Sequence, residues 1–216
     1  MLSDHFPLLS LRVRTPRLEL RLPTDEQLAA LAELAVAGVH EPGAMPFLHP
    51  WTEAPPAEVA RYVVQRHWRK LGEWRPDDWN LELAVLLDGE PVGVQALTAK
   101  DFPVLREVGS GSWVGRRFHG QGIGSEMRAA VLHLAFAGLD ALEAVSSAHA
   151  HNEASLRVSR KLGYRPDGVE RHIVRGERVE GRRMRLHRAD WVPPVPVEFD
   201  GLAPCLPLFG LPPAST

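Results

Sequence analysis

The sequence predicts an α/β (α+β) protein in which a mixed, mostly antiparallel sheet of about seven strands is flanked by helices on both faces. Two patterns carry this prediction. Residues 80–97 hold two apolar runs that are joined by Asp88 and Gly89, a typical hairpin turn. Residues 107–150 then read as a strand, a helix with 3.6-residue periodicity and a second short strand. Hairpins combined with such a unit produce a sheet of mixed direction.

The first third of the chain predicts a strand and two helices. Residues 11–21 alternate apolar and basic side chains around Pro16, which is typical of an edge strand. A helix follows from the N-cap Thr24 to Gly38, and a second amphipathic helix ends at Gly72. Residues 39–55, between these helices, hold four prolines and several apolar side chains. A loop of this length and composition is predicted to be a binding surface.

The last third of the chain predicts a short strand, a helix and a closing hairpin. The strand covers residues 143–150, the helix begins at Asn152 and ends at Gly163, and the hairpin occupies residues 164–191. We therefore predict one domain over residues 1–191. Residues 192–216 form a proline-rich tail whose apolar side chains predict docking on the domain or on a partner subunit.

Composition excludes several classes of protein. The net charge is −2, so the chain has no overall basic character for binding nucleic acid or an anionic membrane surface. The single cysteine, Cys205, cannot form an internal disulfide and is typical of a reducing compartment. The sequence has neither a signal-peptide pattern nor the roughly 20 apolar residues of a membrane span. We expect a soluble, cytoplasmic protein without a metal.

Three glycines stand at alternate positions in "HGQGIG", residues 119–124, between a strand and a helix. Backbone N–H groups at a helix N-terminus attract anions, and glycine lets phosphate oxygens approach the backbone. The stretch does not fit a P-loop, because Glu126 stands where a lysine or hydroxyl residue would help. It does not fit the dinucleotide fingerprint either, since Ser125 replaces the last glycine. The sequence thus predicts a different kind of phosphate site.

Together with "HNEASLRVSRKLGY", residues 151–164, this stretch resembles the GNAT superfamily of acyl-CoA N-acyltransferases, particularly the branch of RimJ/RimL-type ribosomal-protein N-acetyltransferases. The order of predicted elements agrees over residues 10–191. The resemblance implies the GNAT fold and transfer of an acyl group from acyl-CoA to an amine, with no covalent enzyme intermediate. The tail after residue 191 lies outside it.

The resemblance also implies where coenzyme A binds. The glycine stretch would hold the pyrophosphate, the preceding strand would pair with the pantetheine arm, and Ser155 would lie near the sulfur. His119 departs from the glutamine or arginine that is usual there. The cofactor-binding residues implied are Trp113, Val114, Gly115, Arg116, Arg117, His119, Gly120, Gln121, Gly122, Ile123, Gly124, Ser125, Asn152 and Ser155.

Acyl transfer to an amine needs a neutral amine, a polarised thioester and a hydrogen bond for the departing thiolate. Ser155 is the candidate for that hydrogen bond, and a strand amide such as that of Val114 can polarise the carbonyl. The general base stays open among Glu107, Glu82 and two histidines near the cofactor strand, His149 and His151. Relatives often carry a strand glutamate where this chain has Gly109.

Residues of the apolar loop and one histidine are the predicted contacts of the acceptor: Met45, Phe47, Trp51 and His149. The predicted donor is acetyl-CoA, with succinyl-CoA left open by the arginine-rich closing hairpin. The acceptor is a small-molecule amine or a protein N-terminal amine, and the assembly can be a homo-oligomer such as a dimer. The alternative from a different class is a non-catalytic acyl-CoA-binding regulatory module.

Overall fold

The computed structural model describes residues 1–213, so residues 214–216 of the predicted tail lie outside the described part. Six helices are described: α1 (Leu2–His5), α2 (Asp25–Ala37), α3 (Pro56–Gly72), α4 (Phe102–Leu105), α5 (Ile123–His133) and α6 (Glu153–Lys161). The strands are β1 (Arg12–Arg14), β2 (Leu18–Arg21), β3 (Asp78–Leu87), β4 (Glu90–Lys100), β5 (Glu107–Val114), β6 (Glu143–His149), β7 (Arg165–Val174), β8 (Glu177–His187) and β9 (Glu198–Asp200).

Within residues 1–213, all nine strands form one sheet in the order β7-β8-β6-β5-β4-β3-β2-β1-β9. Only β5 and β6 are parallel neighbours, and the other neighbouring pairs are antiparallel. This confirms the predicted α/β fold with a mixed, mostly antiparallel sheet. The strand number is nine where the sequence predicted about seven.

The two additional strands have separate origins. Residues 11–21 form a hairpin rather than one edge strand, because the chain turns at residues 15–17 and pairs Arg14 with Glu19. The Thr15 N–H donates to the Leu18 carbonyl across this turn, and Pro16, which has no N–H, lies within it. The other additional strand, β9, comes from the tail and pairs with β1.

Helices cover the sheet on both faces. Alternate residues of β3 point to opposite faces, with Leu81 and Leu83 in one buried cluster and Ala84 and Leu86 in another. The first cluster contains the apolar sides of α5 and α6, and the second contains those of α2 and α3. We call these the α5/α6 face and the α2/α3 face. No helix of the described chain is both long and apolar enough to span a bilayer.

The sheet opens between its two parallel strands. β5 and β6 pair only from Glu107 to Gly109, opposite Glu143 to Val145. Beyond Gly109, β5 stays paired with β4 alone, and beyond Val145, β6 stays paired with β8 alone. The edges of residues 110–114 and 146–149 that face each other are therefore free of strand partners in the described structure. This divergence creates a gap through the middle of the sheet.

The tail packs on the domain over its described length. The Trp74 indole N–H donates to the Leu208 carbonyl at 2.8 Å, and the fully buried Phe209 ring lies 4.9 Å from Trp79 and 5.5 Å from Trp74 between ring centres. Gly210 turns the chain there with a φ of +71°. The tail thus completes the α5/α6-face core, to which Phe209 belongs.

We expect the Phe209→Ala variant to lose about 3–5 kcal/mol of unfolding free energy, because it leaves a cavity beside the rings of Trp74 and Trp79. Denaturant unfolding measures the loss. The matched control is Val192→Ala in the same tail, whose side chain is exposed and whose removal should change the free energy by less than about 0.5 kcal/mol. Equal stability of both variants and the wild type would contradict the docking of the tail.

Candidate active site

A cavity of about 1180 Å³ lies at the gap between β5 and β6. Its wall includes residues 110–114 of β5 and residues 146–148 of β6, with side chains from α2 and α3 on one side and from α5 and α6 on the other. The cavity therefore connects the two faces of the sheet. Pockets for a single small ligand commonly measure about 300–1,000 Å³. The larger volume suits two ligands that enter from opposite faces.

The glycine stretch forms the α5/α6-face entrance of the cavity. Gly120 and Gly122 have φ of +76° and +80°, a conformation that glycine adopts without strain, and α5 begins directly afterwards. The N–H groups of residues 120–124 have no acceptor within the described chain. Ser125 differs, because its N–H already donates to the Gly122 carbonyl. The free N–H groups and the helix dipole create a site for an anion such as a phosphate.

A hydrogen-bond network around the buried Glu126 supports this loop. Glu126, which is only 8% exposed, accepts hydrogen bonds from the Thr15 hydroxyl at 2.6 Å and from Arg17 Nε at 2.7 Å. Both Nη atoms of Arg17 lie 3.2 Å from the Gln121 carbonyl oxygen and donate to it. Arg17 therefore ties the β1–β2 turn to the glycine stretch. This role was not predictable from the sequence, because Arg17 and Gln121 lie more than a hundred positions apart.

We expect Arg17→Leu to weaken the binding of coenzyme A about tenfold, because the loop loses the donors that fix its Gln121 carbonyl. Calorimetric titration measures the dissociation constant. Arg14→Leu is the matched control, since Arg14 belongs to the same hairpin but forms an ion pair with Glu19 at the surface. Unchanged affinity in Arg17→Leu would show that the loop keeps its shape without this support.

Some predicted cofactor-binding residues at and after the end of β5 lie outside the cavity. The four residues that do not line it are Gly115, Arg116, Arg117 and Gln121. A Cβ at Gly115 would lie 2.4 Å from Leu34, so this glycine allows close packing on α2. The Arg117 side chain forms an ion pair with Glu90 outside the cavity. We therefore correct the prediction that the side chains of Arg116 and Arg117 reach the cofactor. The contacts predicted for Gly115 and Gln121 involve their backbone groups and stay predictions.

His119, Trp113 and Val114 do line the cavity. His119 Nε2 lies 2.9 Å from the Val114 carbonyl oxygen and donates to it in the corresponding tautomer, which connects the glycine stretch to the end of β5.

The first turn of α6 forms the wall opposite the glycine stretch. The Asn152 side chain caps the helix by accepting a hydrogen bond from the Ser155 N–H at 3.2 Å, and both residues line the cavity. α5 and α6 come close at Gly124, where a Cβ would lie 4.0 Å from Val158. The structure thus brings the two sequence motifs together at one entrance.

Aromatic side chains line the α2/α3-face half of the cavity. Trp51 stacks on Tyr62 with ring centres 5.2 Å apart and lies 6.1 Å from Trp113. Phe47 packs on Trp51 at 5.3 Å, and the buried Met45 completes this wall. The predicted acceptor contacts from the apolar loop therefore do face the cavity.

His149 does not line the cavity, in contrast to the prediction. Its ring is 3% exposed at the end of β6 and lies 5.3 Å from the ring of His151. Burial, together with the charges of His151 and His172, holds the pKa of His149 below its ordinary value. His151, by contrast, does line the cavity. The histidine of this pair that lines the cavity is thus His151.

The two candidate carboxylates lie in different places. Glu82 lines the cavity on the α2/α3 face, is 8% exposed, and accepts a hydrogen bond from Arg66 Nε at 2.7 Å. Glu107 lies at the beginning of β5, where that strand is still paired with β6, and binds Arg185 at 2.5 Å. The main cavity begins only after that paired section. We therefore correct the prediction for Glu107 and do not carry it forward as a base.

The described residues hold no group of three or more His, Cys, Asp or Glu side chains that is arranged for a metal ion.

One further charged residue of the cavity was not predicted from the sequence. Arg128 of α5 lines the cavity although it is almost fully buried. The sequence does contain an indication of this residue, because Arg128 is the one arginine, lysine or carboxylate in the otherwise largely apolar run "MRAAVLHLAF", residues 127–136.

Residues 17–165, more than half of the chain, match a family model described as an acetyltransferase (GNAT) domain. Solved structures of similar fold include RimJ from Mycobacterium smegmatis in complex with CoA-disulfide. It has 20% sequence identity and a TM-score of 0.70, and the alignment covers 84% of this chain and 88% of that one.

Two further structures give similar values. RimL, a ribosomal L7/L12 alpha-N-protein acetyltransferase, has 20% identity and a TM-score of 0.62, with 81% of this chain and 94% of that one covered. A GNAT-family acetyltransferase from Bacillus anthracis has 17% identity and a TM-score of 0.62, with 82% and 99% covered. At these identities the likenesses establish the shared fold.

Proposed function

The chain belongs to the GNAT acetyltransferase domain family, and on that premise we propose that it transfers an acetyl group from acetyl-CoA to a primary amine by direct attack. The observation that carries the proposal is the cavity through the sheet, with an anion site at one entrance and an apolar aromatic wall at the other. Such a site holds two substrates side by side, and this orientation supplies much of the rate enhancement in a two-substrate transfer.

The residues present fit coenzyme A. The N–H groups of residues 120–124 are free to bind the pyrophosphate oxygens, and the unpaired edge of β5 is free to pair with the amide groups of the pantetheine arm. Asn152 and Ser155 flank the same path on α6. When bound, acetyl-CoA supplies the thioester that is attacked. RimJ from M. smegmatis, a protein of similar fold, binds coenzyme A as a disulfide.

Glu82 is our candidate for the general base. It lies on the α2/α3 face, where the amine enters, and it is the carboxylate of β3 that reaches the cavity. A free α-amine has a pKa of about 7.7–8.0, so a large fraction is already neutral and a carboxylate acting through a water suffices. A free backbone N–H on β5 polarises the carbonyl oxygen, and the Ser155 hydroxyl donates to the leaving sulfur.

A protein N-terminal amine is the acceptor that the comparisons favour, since RimL acts on the α-amine of a ribosomal protein. The aromatic wall of Phe47, Trp51 and Tyr62 offers an apolar surface for the side chains that follow such an amine. We propose a cytoplasmic location together with this acceptor. A succinyl donor is the second candidate, and the thiol-release test compares it with acetyl-CoA.

The test is the release of free thiol from acetyl-CoA and, in parallel, from succinyl-CoA in the presence of N-terminal peptides and polyamines. We expect release that depends on the amine, prefers acetyl-CoA, and falls strongly in Ser155→Ala. Release that prefers succinyl-CoA would replace the donor in our proposal. Tight binding of coenzyme A without release from any acceptor would favour a binding module over an enzyme.

A further inference from the structure

Arg128 is a buried cation without a counter-ion. Its side chain is 5% exposed, and its one hydrogen bond runs from Nη1 to the Ser159 hydroxyl at 2.9 Å, between α5 and α6. Arg128 forms no ion pair within residues 1–213, and its Nε has no hydrogen-bond partner there. A buried charge is costly unless it is paired, so this arginine is suited to a negative charge that arrives with a ligand.

Two hydroxyl groups, of Tyr164 and Ser110, lie beside Arg128. Tyr164 is 4% exposed, and neither hydroxyl has a well-formed hydrogen bond in the described structure. Burial raises the pKa of Tyr164, while the charge of Arg128 and the nearby Ser110 hydroxyl act in the opposite direction, as expected for adjacent groups. This cluster consists of three side chains that can donate hydrogen bonds, those of Arg128, Tyr164 and Ser110. Their arrangement favours an electron-rich ligand atom over a cationic one.

The cluster lies at the closed end of the gap. Ser110 is the first residue of β5 after its pairing with β6 ends at Gly109, whereas the glycine stretch follows the other end of β5 at Val114. The four residue steps from Ser110 to Val114 span about 13 Å of strand. A donor whose phosphates bind at the glycine stretch and whose arm follows β5 therefore brings its sulfur toward Arg128.

The two faces of the sheet separate the reacting groups. The donor occupies the α5/α6 face, to which Arg128 and Ser155 belong, and the amine enters from the α2/α3 face. When the thioester carbon is attacked from the α2/α3 face, the departing sulfur stays on the α5/α6 face. Arg128 is thus on the side where the leaving group acquires its charge.

We propose that Arg128 stabilises the thiolate of the departing coenzyme A through the field of its positive charge, an inference that rests on the proposed function. In the transfer, the nitrogen lone pair forms the C–N bond, and the C–S bond breaks with its electron pair going to sulfur. The amine nitrogen loses one proton toward Glu82 and water. The sulfur leaves as a thiolate that accepts a hydrogen bond from the Ser155 hydroxyl, and it then takes up one proton from water.

The thiol group of bound coenzyme A gives a direct readout that needs no acceptor. A nearby positive charge favours the thiolate and lowers the pKa of the thiol. Thiolate formation is followed by ultraviolet absorbance while the complex of the full chain with coenzyme A is titrated. The single cysteine, Cys205, contributes little, because burial raises the pKa of its thiol to about 11. The same titration of each protein without coenzyme A is subtracted to remove the contribution of the two tyrosines.

Arg128→Met removes the charge and keeps the length of the side chain. We expect the thiol pKa of bound coenzyme A to rise by about one unit, equivalent to about a tenfold smaller thiolate fraction, and to return toward the wild-type value in Arg128→Lys. Removal of a buried unpaired charge leaves folding intact in many proteins, and thermal unfolding of each variant checks this.

The control is Arg157→Met, which removes an exposed arginine of α6 from the same cavity. The other titratable groups at the α6 wall of the cavity are Glu153, His151 and Lys161, and they are the same in every variant. We expect the control to keep the wild-type thiol pKa. A thiol pKa in Arg128→Met equal to that of the wild type overturns the inference and leaves the proposed function standing. Failure of the wild type to bind coenzyme A overturns the proposed function itself.

Discussion

Glu82→Gln lowers kcat/KM for acetylation of an amine by about 100-fold or more, because the cavity loses the carboxylate that receives the amine proton. The glutamine oxygen still accepts the hydrogen bond that Arg66 Nε donates to Glu82 Oε1, so the wall of the cavity keeps its shape. Steady-state thiol release measures the effect. Binding of coenzyme A, measured by calorimetry, stays near the wild-type affinity, since Glu82 lies on the opposite face from the glycine stretch.

The matched control for this prediction is Glu107→Gln. Glu107 belongs to the strand that lines the cavity, yet its side chain binds Arg185 outside the main cavity. We expect this variant to keep wild-type kcat/KM. A large loss in Glu107→Gln together with a small loss in Glu82→Gln would reverse our assignment of the base.

Gly122→Val weakens coenzyme A binding by at least about 100-fold, which corresponds to about 2.8 kcal/mol. Gly122 has a φ of +80° at the N-cap of α5, a conformation in which a β-branched residue is strongly strained. The loop must therefore change, and its free N–H groups no longer converge on a phosphate. Calorimetric titration of coenzyme A measures the loss.

Gly72→Ala serves as the control for the glycine substitution. Gly72 ends α3, has an ordinary φ, and leaves open space around an added Cβ. Its substitution should leave coenzyme A affinity unchanged. If Gly122→Val bound coenzyme A as the wild type does, the glycine stretch would not be the phosphate site.

Locally encoded features of this fold were predictable from the sequence. The Thr24 hydroxyl caps α2 by accepting a hydrogen bond from the Gln27 N–H, while the Gln27 side chain accepts one from the Thr24 N–H. The two residues are only three positions apart in the chain. The positive φ of Gly122 at the start of α5 likewise depends on consecutive residues. Asn152 caps α6 through a hydrogen bond from Ser155, which lies in the following turn. Such features depend on a few consecutive residues, so a single sequence reveals them.

Features that depend on strand pairing were not predictable. The sequence indicated Glu107 and Glu82 as acids on strands, but only the pairing of β5 with β6 fixes where the gap begins. That pairing ends two residues after Glu107 and places it in the closed part of the sheet. The ion-pair partner of Glu82 is Arg66, which approaches from a separate helix. The hairpin turn at Thr15 was missed because periodicity alone does not distinguish one strand from two short ones.

The most direct test of the account is transfer of a deuterated acetyl group from acetyl-CoA to N-terminal peptides, followed by mass spectrometry of the peptide and of the protein. We predict that the label appears on the peptide α-amine, that free coenzyme A forms in equal amount, and that the protein carries no label at any time. A labelled protein would contradict direct attack between the two faces of the sheet. Label recovered only as acetate, with unmodified peptide, would contradict the assignment of an amine acceptor.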